Sequence, residues 1–216
     1  MDRRIALKNM GLALGYTVAT PTLISLMQSC KQDTAPEWIP EFFTPEEGAV
    51  IRQVADLILP KTDTPSASEV GVHKFLDRYM NEVSEPEEQQ MFRMHLGNFI
   101  KKATEKAGKQ MGESLSPEEL EPVLAEALKK RDKAEEELIG ETLQTYNEAI
   151  AQGKTATLDE DASAFAFATQ FRGAVIWSYK TSEYVGEEVL AYLPVPGEYI
   201  GCGDLDELTG GKAWSI

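Results

Sequence analysis

The chain has 216 residues and carries 36 acidic against 21 basic ones, a net charge of −15 at neutral pH. Such a surface repels phosphate and excludes nucleic acid as a partner. The two cysteines, Cys30 and Cys202, are far apart and form no paired set for a disulfide framework, a zinc finger or an iron–sulfur cluster, and the length suits one domain with its own core.

Residues 1–30 have the layout of a bacterial export signal: Arg3-Arg4, then Leu7-Lys8, an uncharged stretch over 9–28, and Ser29 before Cys30. Arg3, Arg4, Leu7 and Lys8 follow the twin-arginine pattern, whose pathway exports proteins already folded. The ending at Cys30 follows a lipoprotein cleavage site, which predicts lipidation there, a membrane anchor and a place on the periplasmic side of the cell envelope. Met27 and Gln28 depart from the usual residues of that site, so a cleaved, unlipidated product stays open. An uncleaved membrane helix over 9–28 also stays open on length, although Gly11, Gly15 and Pro21 lower its apolarity. Without the three basic and one acidic residues of this segment, 18 basic face 35 acidic residues, net −17. A surface so acidic chiefly favours solubility.

Residues 31–42 read as a tether, 43–190 as a helical domain and 191–216 as a tail. Thr44-Pro45-Glu46-Glu47 has the capping hydroxyl, first-turn proline and third-position acid of a helix start. Val50, Ile51, Val54, Leu57 and Ile58 then share one face until Pro60. A second helix is expected over 69–83, burying Val72, Phe75, Leu76 and Tyr79, and a third over 86–107 around Phe92, Leu96, Phe99 and Ile100. Ser116-Pro117-Glu118-Glu119 repeats the capping pattern. The charged stretch 120–150 then reads as an exposed helical pair, broken at Gly140. Asp159-Glu160-Asp161 fits calcium ligation less well than it fits the cap of the apolar helix over 162–180. That helix carries Phe165, Phe167, Phe171, Val175, Ile176, Trp177 and Tyr179 around most of its circumference, so it belongs to the core or is covered by something else. The expected fold is all-α, a compact domain of five to six helices with an extended Pro/Gly-rich tail.

The tail is too rich in proline and glycine for helix or central strand and too apolar for a solvated end. An extended segment lying on another surface fits both facts. Cys202 is the one cysteine left after the signal, and burial is its expected state.

No dinucleotide, nucleotide-phosphate or haem-attachment motif occurs, and His73 and His95 lack the spacing that brings two imidazoles to one metal. They read as helix-packing or surface residues. Ser178 and Ser182 flank Lys180 without a histidine and acid beside them in sequence, and acidic pairs such as Glu187-Glu188 carry little weight in so acidic a chain. The expectation is no catalytic, cofactor-binding or metal-binding residue.

Leu57-Ile58-Leu59-Pro60 with Thr62, Asp63, Thr64 and Gly71-Val72, then Phe171-Arg172-Gly173 to Trp177, Tyr179 to Glu183, Gly186, Leu190-Ala191-Tyr192, Pro194 to Gly197 and Tyr199 to Cys202, together resemble the gluconate 2-dehydrogenase subunit 3 family. The start over 1–8 is similar too, whereas residues 85–157 match little. The resemblance implies a non-catalytic accessory subunit of a large flavin-dependent sugar or polyol dehydrogenase of the glucose–methanol–choline type, often with a cytochrome c. It implies FAD in that partner and a role in the partner's folding and twin-arginine export. The expected partner-binding residues are Tyr179, Thr181, Ser182, Tyr184, Tyr192, Pro194, Pro196, Gly197, Tyr199 and Cys202, whose tyrosines offer large aromatic area at low entropy cost. A tail packed on its own domain is the competing reading for them. For the whole chain, the competitor is a standalone helical envelope lipoprotein that binds a small ligand or another protein.

Overall fold

A computed structural model describes residues 38–112, 114–195, 197–198 and 200–215. The twin-arginine residues Arg3, Arg4, Leu7 and Lys8, the lipidation residue Cys30, and Pro196 and Tyr199 of the tail lie outside the described residues. The chain divides into a unit over Met1–Ile39 and a second over Pro40–Ile216, and the second holds every helix described here.

The described helices are α1 (Pro45–Ile58), α2 (Val72–Glu82), α3 (Pro86–Lys106), α4 (Pro117–Ala127), α5 (Lys133–Ala151), α6 (Glu160–Lys180), a π-helical turn (Val185–Val189) and the short α7 (Leu205–Thr209). Six are eleven residues or longer, which makes the domain all-α. No helix among the described residues is long and apolar enough to cross a membrane.

Helix α1 starts where the capping pattern places it. The Thr44 hydroxyl accepts from the Glu47 amide at 3.2 Å, and the Glu47 carboxylate accepts from the Thr44 amide at 2.9 Å. Two of the orphan amides of the first turn are satisfied in this way. Ser116 with Glu119 and Asp132 with Glu135 repeat the device at α4 and α5. Asp159 caps α6 by accepting from the Ala162 amide at 2.9 Å. Glu160 and Asp161 turn to Lys101 and Lys102 on α3, so the acid triplet caps and docks α6.

Helix α6 is the axis of the domain. Ala164 and Ala168 let its backbone approach its neighbours. Phe167 stacks on Phe171 at 5.3 Å and meets Phe99 at 4.8 Å and Phe92 at 5.7 Å, both rings carried by α3. Burying each such ring contributes about 2–3 kcal/mol. Above this aromatic core Ser163, wholly buried, lies 2.9 Å from His95 Nδ1 and accepts from the Asn98 amide nitrogen at 2.9 Å. The serine hydroxyl and His95 Nδ1 share one hydrogen bond whose donor is set by the tautomer of the imidazole. His95 is a packing residue that ties α3 to α6, and burial lowers its pKa.

Several expectations fail locally. Helix α2 begins at Val72 rather than 69, because Gly71 at its N-cap has a φ of 79° and residues before it turn. Glu69 instead accepts from the Ser66 amide and pairs with Lys61 at 2.5 Å, stapling the loop between α1 and α2. Gly140 does not break α5, which runs through it. The expected exposed pair over 120–150 is half right. Helix α4 buries Leu120, Val123, Leu124 and Ala127, whereas α5 buries no residue. Phe75 and Tyr79 are not buried with Val72 and Leu76 but remain exposed on α2.

Asp77 is a device that periodicity does not suggest. Fully buried on α2, its carboxylate accepts from the amides of Glu41 at 2.7 Å, Phe42 at 3.0 Å and Phe43 at 3.1 Å. Arg93 completes the clamp by donating to the Phe42 carbonyl at 2.6 Å and covering its ring. The chain thus enters the domain in one fixed direction.

Candidate partner interface

At its C-terminal end α6 meets the loop between α1 and α2. The Tyr179 hydroxyl donates to the Pro65 carbonyl at 2.7 Å. Thr181 returns its hydroxyl to the Trp177 carbonyl at 2.9 Å, and Ser182 to that of Tyr179 at 2.7 Å. These hydroxyls satisfy carbonyls that the end of a helix leaves unpaired. The chain then makes a π turn, closed by the Leu190 amide on the Val185 carbonyl at 2.9 Å, with Val185 buried. Between this turn and the loop lies a cleft of about 750 Å³, with Thr62, Asp63 and Thr64 on one wall and Ser182, Tyr184 and Glu187 on the other. The loop and the helix end quoted for the family resemblance are therefore two walls of one cleft.

Beyond the π turn the tail returns on itself. The Ala191 amide donates to the Ala213 carbonyl at 2.8 Å and the Ser215 amide to that of Ala191 at 2.9 Å, pairing Ala191 with Trp214. Residues between them form a closed loop containing α7. This loop holds its described apolar side chains outward. Tyr192 is 50 % exposed and Val195 79 %, and Leu193 and Ile200 are also exposed, as is Tyr184 on the cleft wall before the π turn.

Of the expected partner-binding residues, Ser182 and Tyr184 line the cleft and Tyr179 braces it from behind. Thr181 is exposed and caps α6. Tyr192, Pro194, Gly197 and Cys202 are exposed on the loop and do not line the cleft. Cys202 corrects the expectation of burial: it is exposed, in a stretch over 200–208 in which every residue is exposed. Among the described residues no group of histidine, cysteine, aspartate and glutamate side chains could hold a metal ion.

The model of the gluconate 2-dehydrogenase subunit 3 family matches residues 45–197, from the first turn of α1 through the cleft and into the tail. The chain belongs to the gluconate 2-dehydrogenase subunit 3 family. The match spans the charged middle as well, which the sequence resemblance had left unassigned. No curated relative and no solved structure matches the chain. Membership makes it an accessory subunit of a dehydrogenase, associated with that enzyme's other subunits.

Sequence reasoning missed one surface of this family member. Phe75, Tyr79 and Trp177 form a three-ring patch on α2 and α6 with centroids 5.4–6.0 Å apart, and all three are exposed. The signal was present in α6, whose apolar residues exceed what one buried face needs.

Proposed function

We propose that the chain is the non-catalytic small subunit of an exported FAD-dependent sugar or polyol dehydrogenase of the glucose–methanol–choline type. It supports that enzyme's folding, carries it through the twin-arginine pathway by Arg3, Arg4, Leu7 and Lys8, and holds it at the membrane through a lipid on Cys30. FAD and the chemistry belong to the large subunit, and a cytochrome c completes the electron path.

The observation that carries this reading is the outward-facing loop over 191–214, closed by backbone hydrogen bonds yet exposing Tyr192, Leu193, Val195 and Ile200 in a member of a dehydrogenase subunit family. A loop that orders its backbone while leaving its apolar residues in water is suited to receive a partner, since little further ordering entropy is lost on binding. Ending the chain after Leu190 tests the reading. The dehydrogenase is expected to stop copurifying while helical circular dichroism persists, because all six long helices precede the cut. Full recovery of the enzyme by the shortened chain would contradict it.

A further inference from the structure

A groove of about 700 Å³ opens between α2, α3 and α6, away from the cleft, with Phe43, Phe92 and Phe171 in its floor and Met80 and Met91 in its walls. Its rim reaches Tyr79 and Trp177 and so continues onto the exposed three-ring patch. Glu87 and Glu88, both exposed, also line it, and no lysine or arginine lines the groove among the described residues.

We propose that this groove seats an amphipathic helix of the dehydrogenase partner, apolar face down, with lysine or arginine on the flank that meets Glu87 and Glu88. The inference rests on the accessory-subunit reading and adds a second contact to it. Three observations favour a helix over a small ligand. The groove runs out onto an open aromatic shelf, whereas a small-molecule pocket encloses most of its ligand. Methionine side chains in its walls conform to the irregular surface of a helix. The acidic rim, on a chain of net charge −15, steers and orients a basic flank.

Gly173 lines the groove, is exposed, and has nothing within 4 Å of the position a Cβ would take. A Cβ at Gly173 displaces nothing, so Gly173→Phe sets a ring on the groove from an exposed position, and the double variant Glu87→Lys/Glu88→Lys reverses the rim on exposed positions alone. Each is introduced into the full chain, purified from native membranes, and compared with wild type carrying a photoreactive benzoylphenylalanine at Met91. The expected result is a cross-link from position 91 to one Lys/Arg-flanked helix of the flavoprotein. Copurified flavin should fall at least tenfold with Gly173→Phe, whose thermal unfolding stays at the wild-type value, and fall with the charge reversal, which removes two first-turn acids of α3 and lowers the unfolding temperature by only a few degrees. Undiminished flavin with both variants, a cross-link to a second copy of this chain, or an apolar small molecule held in the groove by native mass spectrometry would overturn the groove proposal alone. A wild-type chain that brings down no flavoprotein would overturn both readings.

Discussion

The Tyr179 hydroxyl and the Pro65 carbonyl meet at 2.7 Å although 114 residues separate them in sequence. That bond fixes the distance between the two walls of the cleft, because Pro65 belongs to the loop and Tyr179 to the end of α6. Tyr179→Phe removes the donor and keeps the ring. A loss of about 1 kcal/mol is expected, seen as a fall in Tm of about 2–4 °C for a domain of this size. Copurified dehydrogenase should fall with it, which a binding titration at a temperature well below Tm would register separately from unfolding.

Asp77 supports a larger effect. Asp77→Ala leaves the amides of Glu41, Phe42 and Phe43 without their shared acceptor, at a cost of about 3 kcal/mol. Asp77→Asn keeps one acceptor oxygen and should cost roughly half as much. Urea denaturation of the two variants beside wild type measures both.

The two buried histidines set an acid limit. Burial, helped by Arg52 and Lys74 and opposed by Asp56 and Asp77, lowers the pKa of His73 from 6.5 to about 4. Below pH 6.5 the unfolded chain takes up a proton at this ring that the folded chain refuses until about pH 4. Stability from His73 is thus complete above pH 6.5 and lost as pH falls towards 4, by at most about 3 kcal/mol. His95, its pKa also lowered by burial, acts in the same direction. His73→Gln should flatten the fall in unfolding free energy between pH 7 and pH 4.5, measured by urea titration at each pH.

Among the long helices α5 should be the first to open. It buries no residue, and Leu138 and Ile150 on it are exposed. Hydrogen exchange should therefore be fastest there among the long helices, and Leu138→Ala should change stability by no more than about 0.5 kcal/mol.

What could be read in advance follows from the range of the interactions. The starts of α1 and α4 were legible because a capping box spans four residues. The aromatic face of α6 was legible because periodicity is local. Asp77 was not, since its three partners lie 34–36 residues away. Gly140 misled because a helical glycine costs only about 1 kcal/mol, which the Asp132–Glu135 cap and the Tyr146 contact with Met94 outweigh. Phe75 and Tyr79 misled for a different reason. An apolar stripe on a helix looks the same whether its own domain or a partner covers it. At the candidate interface the tyrosines and prolines were visible as composition, while the cleft needed the fold to bring residues 62–64 against 182–187.

The central claim is that this chain holds a flavoprotein. Its most direct test is affinity purification of the C-terminally tagged full chain from native membranes in mild detergent, with mass spectrometry and a visible spectrum of the eluate. The account predicts a large partner in simple ratio and a flavin absorbance that follows it. A colourless eluate containing the chain alone would contradict it.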